Sequence, residues 1–306
     1  MKISPILILF LFIGLSLKGQ SKVFDRDIKM QADMASLIDI NEEILKGTIY
    51  ENGGLIAENL AFWQSKTIPI HYDNVDSLMS ISANWRSEDA DWDKIEIRLI
   101  GESNHWTAWE KFNLSHHPIP NKQVSQLIFI KGKFSAFQLR MLIEKENHDV
   151  ESLSIHFYFP GKSPRQIKAN DIANNGNNCL CDQPNMITRD LWCPDGDCFP
   201  HPNPQYTNQT HIIIHHSAGS NSLNDWAAEV RSIWDLHVNI NGWSDIGYNW
   251  LISPKGDIYV GRGNDILGAH FCAQNSNTAG ICVMGNYTNV IPVEEAFTAL
   301  YLSLIH

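Results

Sequence analysis

The sequence predicts two domains of different fold class. An all-β sandwich-like domain is expected over residues 22–165, and an α/β domain with a mixed central sheet flanked by helices over residues 184–306. Short segments of alternating polarity dominate the first half, whereas strand-like runs alternate with helical patterns in the second half. A stretch between them has the Asn, Gly and Pro content of turns, so residues 166–183 are predicted to be a linker. A length of 306 residues suits two domains.

The predicted strands of the first domain are short and lie between turn-rich stretches. Alternation of apolar and polar residues is typical of antiparallel strands with one face on a core. A short helix is also expected ahead of these strands, over residues 34–45. The strands are predicted over residues 68–72, 79–85, 95–99, 127–130, 137–141 and 153–159.

The second domain is expected to open with a buried strand, because Ile212, Ile213 and Ile214 are β-branched and suit a pleated sheet. Apolar residues then recur at spacings of three and four, which predicts a helix over residues 223–238 with Ser222 or Asn224 as its N-cap. The remaining expected elements are strands over residues 245–252, 258–260 and 278–285, a hairpin turn over 254–257 and a helix over 293–305.

The charge balance excludes some classes of partner. The formal net charge is -11, and an acidic surface repels both phosphate and anionic lipid, so nucleic acid and acidic membranes are not expected partners. Residues 5–17 form an apolar run behind Lys2. This run is too short to span a bilayer and is typical of a secretory signal peptide over residues 1–20. The protein is therefore predicted to be secreted or periplasmic, without a transmembrane segment.

Six cysteines lie in the second half, at positions 179, 181, 193, 198, 272 and 282. In an exported protein, a clustered even set favours disulfides over a structural zinc site, since the spacings do not form a zinc-ribbon pattern. Cys193 and Cys198 enclose a short turn and are the pair expected to bond locally. The connectivity of the others stays open.

Tryptophans of the first domain have two interpretations. Exposed indoles on a sheet can stack on sugar rings, whereas buried indoles fill the core, and the second interpretation is favoured because tryptophan is more often a core residue. His116 and His117 lack a third ligand at a recognisable spacing and are expected to be a surface pair. The tryptophans concerned are Trp63, Trp85, Trp92, Trp106 and Trp109.

Two histidines, His215 and His216, follow the isoleucine strand. An imidazole at the end of a rigid strand is held in one orientation, which suits a metal ligand. The competing interpretation is a strand that ends in polar residues without a metal role. The histidine pair by itself does not decide between them.

Five blocks follow the linker in a fixed order: IIIHHSAG, GWSDIGYNWLI, GDIYVGRG, GAHFCAQN and AGICVMGNY. Together they resemble the zinc-dependent N-acetylmuramoyl-L-alanine amidase family, which includes the peptidoglycan recognition proteins. The resemblance covers about residues 184–305, and the first domain has no such match. It implies an exported peptidoglycan hydrolase that cleaves the amide between N-acetylmuramic acid and L-alanine.

The resemblance also implies roles for individual residues. His215 would be a Zn2+ ligand, whereas His216 would pack or hydrogen-bond behind the site. Tyr248 would be the catalytic tyrosine beside the metal. The residues expected to contact substrate or shape its groove are His270, Asn275, Trp243 and Arg262.

The implied chemistry needs three protein ligands and one open position on Zn2+, which lowers the pKa of a bound water to about 7 and polarises the carbonyl. A phenol such as that of Tyr248 can orient that water or stabilise the oxyanion. The two other ligands of this family follow the helix predicted to begin near Val293, so we expect them beyond residue 306. The alternative is a non-catalytic peptidoglycan-binding protein, with the first domain as a glycan anchor or as a spacer.

Overall fold

The fold is taken from a computed structural model, which describes the following residues: 22–28, 48–51, 54–57, 61–70, 78–87, 94–101, 103–115, 119, 121–143, 150–161, 163 and 184–304. Several sequence predictions lie outside these residues. They are the signal peptide, the helix over 34–45, the linker over 166–183, the His116–His117 pair, and Cys179 and Cys181.

The described part of the first half forms two antiparallel five-stranded sheets and a separate hairpin of β2 and β3. One sheet has the order β1-β12-β6-β10, with β9 paired to β6; the other has the order β4-β11-β7-β8, with β5 paired to β11. The strands are β1 Lys22–Ile28, β2 Thr48–Glu51, β3 Gly54–Ala57, β4 Ala61–Gln64, β5 Ile68–Pro69, β6 Leu78–Ser87, β7 Ile95–Gly101, β8 Glu110–Lys111, β9 Gln123–Val124, β10 Ile128–Lys131, β11 Phe134–Ile143 and β12 Val150–Phe159.

One apolar core lies between residues of both sheets. Along β7 the buried residues alternate with half-buried ones, because successive side chains of a strand point to opposite faces. Ile97 of β7 and Phe137 of β11 join Ile81 of β6 and Phe157 of β12 in a single buried cluster. The predicted alternation therefore corresponds to burial on one face.

The tryptophans divide between core and surface. Trp85 is fully buried in the core, as expected. Trp106 and Trp109 are only partly buried, and each lies over the Arg98 guanidinium at 4.6 Å from ring centroid to Cζ. The core interpretation is therefore wrong for these two indoles, which take part in cation–π contacts outside the core. The Trp63 side chain and Trp92 lie outside the described part of the chain.

The second half forms a mixed five-stranded sheet of order β13-β16-β15-β17-β14. β17 is parallel to both β14 and β15, and β15 and β16 form the expected antiparallel hairpin. The strands are β13 Met186–Ile187, β14 His211–His216, β15 Trp250–Ile252, β16 Ile258–Val260 and β17 Thr278–Val283. The helices are α1 Arg189–Trp192, α2 Trp226–Asp235, continued by a π-helical turn over Leu236–Ile240, and α3 Glu294–Leu304. This α/β arrangement agrees with the predicted mixed sheet and helices.

Three local predictions need correction. The N-cap of α2 is Asp225, whose carboxylate accepts a hydrogen bond from the Ala228 amide, and not Ser222 or Asn224. The strand predicted over 245–252 is limited to β15, Trp250–Ile252. β14 is an edge strand rather than a buried one; Ile212 is 44% exposed and Ile214 51%.

The cysteine prediction is confirmed in part. Cys193 and Cys198 form a disulfide across the predicted turn. Cys272 is exposed and Cys282 is buried, and neither forms a disulfide with any described residue.

The two halves pack together through polar contacts on α2. His156 Nε2 of β12 lies 2.7 Å from Asp235 Oδ2, and both side chains are almost fully buried. Arg231 donates to the carbonyls of Pro160 and Gly161. Asp225, the cap of α2, accepts hydrogen bonds from the amide and hydroxyl of Ser163. Buried polar groups are stable only when paired, so the contacts hold the domains in one relative orientation.

Among the described residues, no helix combines the length and apolar character needed to cross a membrane.

Replacement of His156 by Ala tests the interface. The change leaves the buried Asp235 carboxylate with Asn239 as its remaining side-chain partner, so we expect a loss of about 2–4 kcal/mol in the free energy of unfolding. Urea unfolding of the full chain measures it. His211→Ala, at an exposed position of β14, is the control and should change stability by less than about 0.5 kcal/mol. Equal stability of the two variants would contradict a structural role for the pair.

Candidate functional site

The candidate site lies at the carboxyl end of the parallel strands β14 and β17. The register pairs His215 with Cys282 and Ile213 with Gly280. β15 runs parallel to β17 on its other side, and Tyr248 lies two residues before β15. Chain segments that are distant in sequence therefore meet at one edge of the sheet.

His215 and His270 are in direct contact. His215 Nε2 lies 3.0 Å from His270 Nδ1, and the ring centroids are 5.1 Å apart. His270 Nε2 lies 3.4 Å from the Thr278 hydroxyl, which donates in turn to the Asn275 carbonyl at 2.8 Å. These hydrogen bonds are all satisfied when His215 and His270 each carry their hydrogen on Nε2.

Two glycines make room for the His270 ring. A Cβ atom at Gly280 would lie 2.3 Å from His270 Cδ2, and one at Gly268 would lie 2.4 Å from the same atom. No side chain fits at such distances, so both positions require glycine while the ring keeps this place. His270 is 2% exposed and thus belongs to the interior of the site.

Asn275 organises the loop that carries His270. Its Oδ1 accepts hydrogen bonds from the amides of His270 and Phe271, each at 2.9 Å. A side-chain oxygen that accepts two adjacent amides fixes the local backbone. These contacts account for the position of Asn275 within the loop; its predicted contact with substrate stays a prediction.

Tyr248 lies between His215 and His237, with ring centroids 5.6 Å from each. Burial raises the pKa of Tyr248 well above its ordinary value, and the neighbouring Cys282, which is hydrogen-bonded to it, raises the pKa further. The phenol is therefore protonated at neutral pH and carries a hydroxyl hydrogen that can be donated. Burial likewise raises the pKa of the Cys282 thiol, so this cysteine is neutral.

The predicted residues Trp243 and Arg262 surround this cluster. Trp243 stacks on His237 at 4.5 Å between centroids, and His237 Nδ1 accepts the Gly247 amide at 3.0 Å. Arg262 donates to the carbonyls of Ile246 and Leu267 at 2.7 and 2.6 Å. Arg262 thereby holds the segment before Tyr248 against the segment before His270.

His216 and Ser217 support the strand end from behind. His216 Nδ1 accepts the Tyr287 amide at 2.9 Å, which is a hydrogen bond of the predicted kind. The Ser217 hydroxyl accepts the Gly285 amide at 2.8 Å and lies 3.2 Å from Glu229 Oε1. Burial raises the pKa of Glu229 to about 8, and the Ser217 hydrogen bond opposes this rise. Glu229 is therefore neutral at pH 7 beneath the loop that follows His215.

A catalytic zinc site requires three protein ligands, which are His, Cys, Asp or Glu side chains. His215 Nε2 lies against His270 Nδ1, and a hydrogen bond from one ring nitrogen to a neighbouring group is typical of metal-bound histidines. However, no cluster of three His, Cys, Asp or Glu residues suited to a metal lies within the described part of the chain. These residues supply one predicted ligand and not a complete set.

The sequence patterns did not identify Cys282, Thr278, Glu229 or Gly280 as parts of the site. Gly280 carried the only local signal, because an isolated glycine within a strand indicates a close approach of another group. Cys282 was predicted to pair with another cysteine. The others have ordinary positions in a strand or helix and become significant only through the tertiary contacts.

Comparison with known proteins gives a consistent result for this region. Residues 205–304 match the profile of the N-acetylmuramoyl-L-alanine amidase family. Peptidoglycan-recognition protein SC2 of Drosophila simulans is 40% identical over 85 residues, which are 27% of this chain and 46% of that protein. An N-acetylmuramoyl-L-alanine amidase of Sus scrofa is 36% identical over 99 residues, 31% of this chain and 17% of that protein.

Among solved structures, bumblebee PGRP-SA is 31% identical, with a TM-score of 0.37; the match covers 40% of this chain and 73% of that one. The chain spans less than half the length of the two curated relatives described above.

Replacement of Gly280 by Ala tests the contact between His215 and His270. The new Cβ displaces the His270 ring, so we expect the correlated imidazole 15N–1H signals of both histidines to shift and stability to fall by about 1–3 kcal/mol. NMR and thermal unfolding measure the two effects. Gly101→Ala is the control, because its Cβ meets its nearest atom at an ordinary 3.5 Å. Unchanged imidazole signals in Gly280→Ala would contradict the close approach.

The pH dependence of stability tests Glu229. Its pKa is about 8 in the folded protein and 4.5 ordinarily, so the unfolded chain ionises first as pH rises. The stability given by the protonated carboxyl is full below pH 4.5 and is lost as pH rises to about 8, by an amount on the order of a few kcal/mol. Glu229→Gln should remove this slope in thermal unfolding from pH 4 to 9. Parallel slopes for variant and wild type would contradict the assignment.

Proposed function

Because residues 205–304 belong to the N-acetylmuramoyl-L-alanine amidase family, we propose that this protein binds peptidoglycan and hydrolyses the amide between N-acetylmuramic acid and L-alanine. The observation that carries the proposal is the contact of His215 with both His270 and Tyr248 at one sheet edge. These three residues come from three of the five sequence blocks. The first domain is unrelated to this match.

The chemistry of the cluster supports hydrolysis of an amide. A buried, protonated phenol such as that of Tyr248 can donate a hydrogen bond to the oxyanion that develops on the scissile carbonyl. His270 orients the His215 ring through the hydrogen bond between them. His215 and Tyr248 are thereby held in a fixed relation before substrate arrives, which reduces the reorganisation needed in the reaction.

Zinc is proposed as the cofactor, with His215 as one ligand. When bound, Zn2+ supplies an activated water and polarises the substrate carbonyl. The two further ligands are proposed to lie beyond residue 306. Export is proposed from the signal-like residues 1–20, since the substrate lies outside the cytoplasm.

A non-catalytic peptidoglycan-binding function is the second candidate. It is favoured by one observation: the described residues hold one candidate zinc ligand and no cluster of three. Recognition of a glycan with its stem peptide requires a groove and hydrogen-bonding groups but no metal. Both candidate functions include binding of peptidoglycan, and only the first includes its hydrolysis.

The reaction is tested by incubating the full-length gene product with peptidoglycan and zinc. We expect new L-alanine amino termini to appear, and their release to fall at least about 100-fold in His215→Ala and after zinc removal by a chelator. Tyr248→Phe should lower turnover by about 100-fold while binding of peptidoglycan is retained.

His211→Ala is the matched control, because His211 lies at the exposed, opposite end of β14. It should retain the wild-type rate. Binding of peptidoglycan without any new L-alanine termini would reject the amidase proposal and support the second candidate. Absence of both binding and hydrolysis would reject the two together.

A further inference from the structure

The boundary between the two domains contains a cleft that the proposed amidase chemistry does not use. This interdomain cleft has a volume of about 240 Å³ and is open to solvent. The first domain contributes Asn113 and Gln126, among others. The second domain contributes the loop 218–220 and Asn286, which follow the carboxyl ends of β14 and β17.

We propose that the interdomain cleft binds a sugar unit of the polymeric glycan, as an additional subsite beside the amidase centre. The proposal rests on the proposed function, because it assumes that a peptidoglycan strand lies across the second domain. It assigns to the first domain a direct part in substrate binding.

The position of the cleft supports this assignment. Ala218 lies three residues after His215, so the cleft wall is at most about 10–11 Å from His215 along the chain. Ala218 and His215 lie at the same edge of the sheet. A polymer held at His215 can therefore contact the cleft, whereas a small fragment held at His215 need not reach it.

The chemistry of the lining selects a neutral, hydroxyl-rich ligand. Three residues that line the cleft, Asn113, Gln126 and Asn286, carry side-chain amides, a group that both donates and accepts hydrogen bonds. Hydroxyl and acetamido groups of a sugar need the same combination. The lining also holds one acid and one base, Glu110 and Lys111, so neither sign of charge prevails. The cleft therefore lacks the excess of one sign of charge that would attract a highly charged ligand such as a nucleotide.

The cleft is also preorganised. Phe129 of β10 packs against the core of the second domain, and a Cβ at Gly219 would lie 3.1 Å from Phe129 Cε2. The buried contact of His156 with Asp235 fixes α2 against β12. Because both walls are held before the ligand binds, little ordering cost opposes binding.

The test compares polymer and fragment binding by full chains that carry changes at Asn113, an exposed residue. Asn113→Trp fills the cleft, and Asn113→Ala removes one amide with little risk to folding. Binding of insoluble peptidoglycan is measured by co-sedimentation, and binding of a monomeric disaccharide–peptide fragment by titration calorimetry. Asn203→Trp, at an exposed residue that does not line the cleft, is the matched control.

We expect Asn113→Trp to weaken binding of the polymer about tenfold and Asn113→Ala to weaken it by a smaller factor, while the fragment binds each variant as it binds the wild type. The control should match the wild type with both ligands. Unchanged polymer binding by both Asn113 variants, or an equal loss for polymer and fragment, would overturn the subsite while leaving the proposed function intact. Failure of the wild type to bind peptidoglycan would instead overturn the proposed function, and the subsite with it.

Discussion

The parallel register of β14 and β17 is the constraint on which the candidate site depends. It places His215 opposite Cys282, the hydrogen-bonding partner of Tyr248, and it places Gly280 two pairs earlier, where the His270 ring needs space. A slip of one residue would turn each of these side chains to the other face of the sheet. The ladder between two short strands therefore determines which imidazoles and which phenol can meet.

Helix α2 connects this site to the first domain. All ten residues of the helix are buried, including Glu229, Arg231 and Asp235. A helix on the surface of a domain would expose its charged face to water. Here Arg231 and Asp235 contact the first domain instead, while Glu229 lies beneath the loop after His215. The two domains consequently share one helix, and the loop after His215 is supported from both sides.

Among the described residues, the site combines firm support with one candidate metal donor, His215. Hydrogen bonds orient His270, Asn275 and Arg262, and burial keeps Tyr248 protonated. Such preorganisation serves substrate recognition and hydrolysis alike, since both require groups held in place before the ligand arrives. The match of residues 205–304 to the amidase family underlies the proposed substrate class. A catalytic zinc site needs three protein ligands, whereas a purely binding role needs none.

The sequence by itself determined the α/β class of the second domain and the local disulfide Cys193–Cys198, because periodicity and short loops are local properties. The choice of His215 and Tyr248 as candidates came from the resemblance of the five ordered blocks to a known family. The hydrogen bond from His215 to His270, the glycines around that ring and the thiol beside Tyr248 required the tertiary structure. The same holds for the edge position of β14, which the isoleucines did not reveal, and for the contact of His156 with Asp235, 79 residues apart. Such features depend on strand order and on contacts between distant segments, and no window of neighbouring residues contains them.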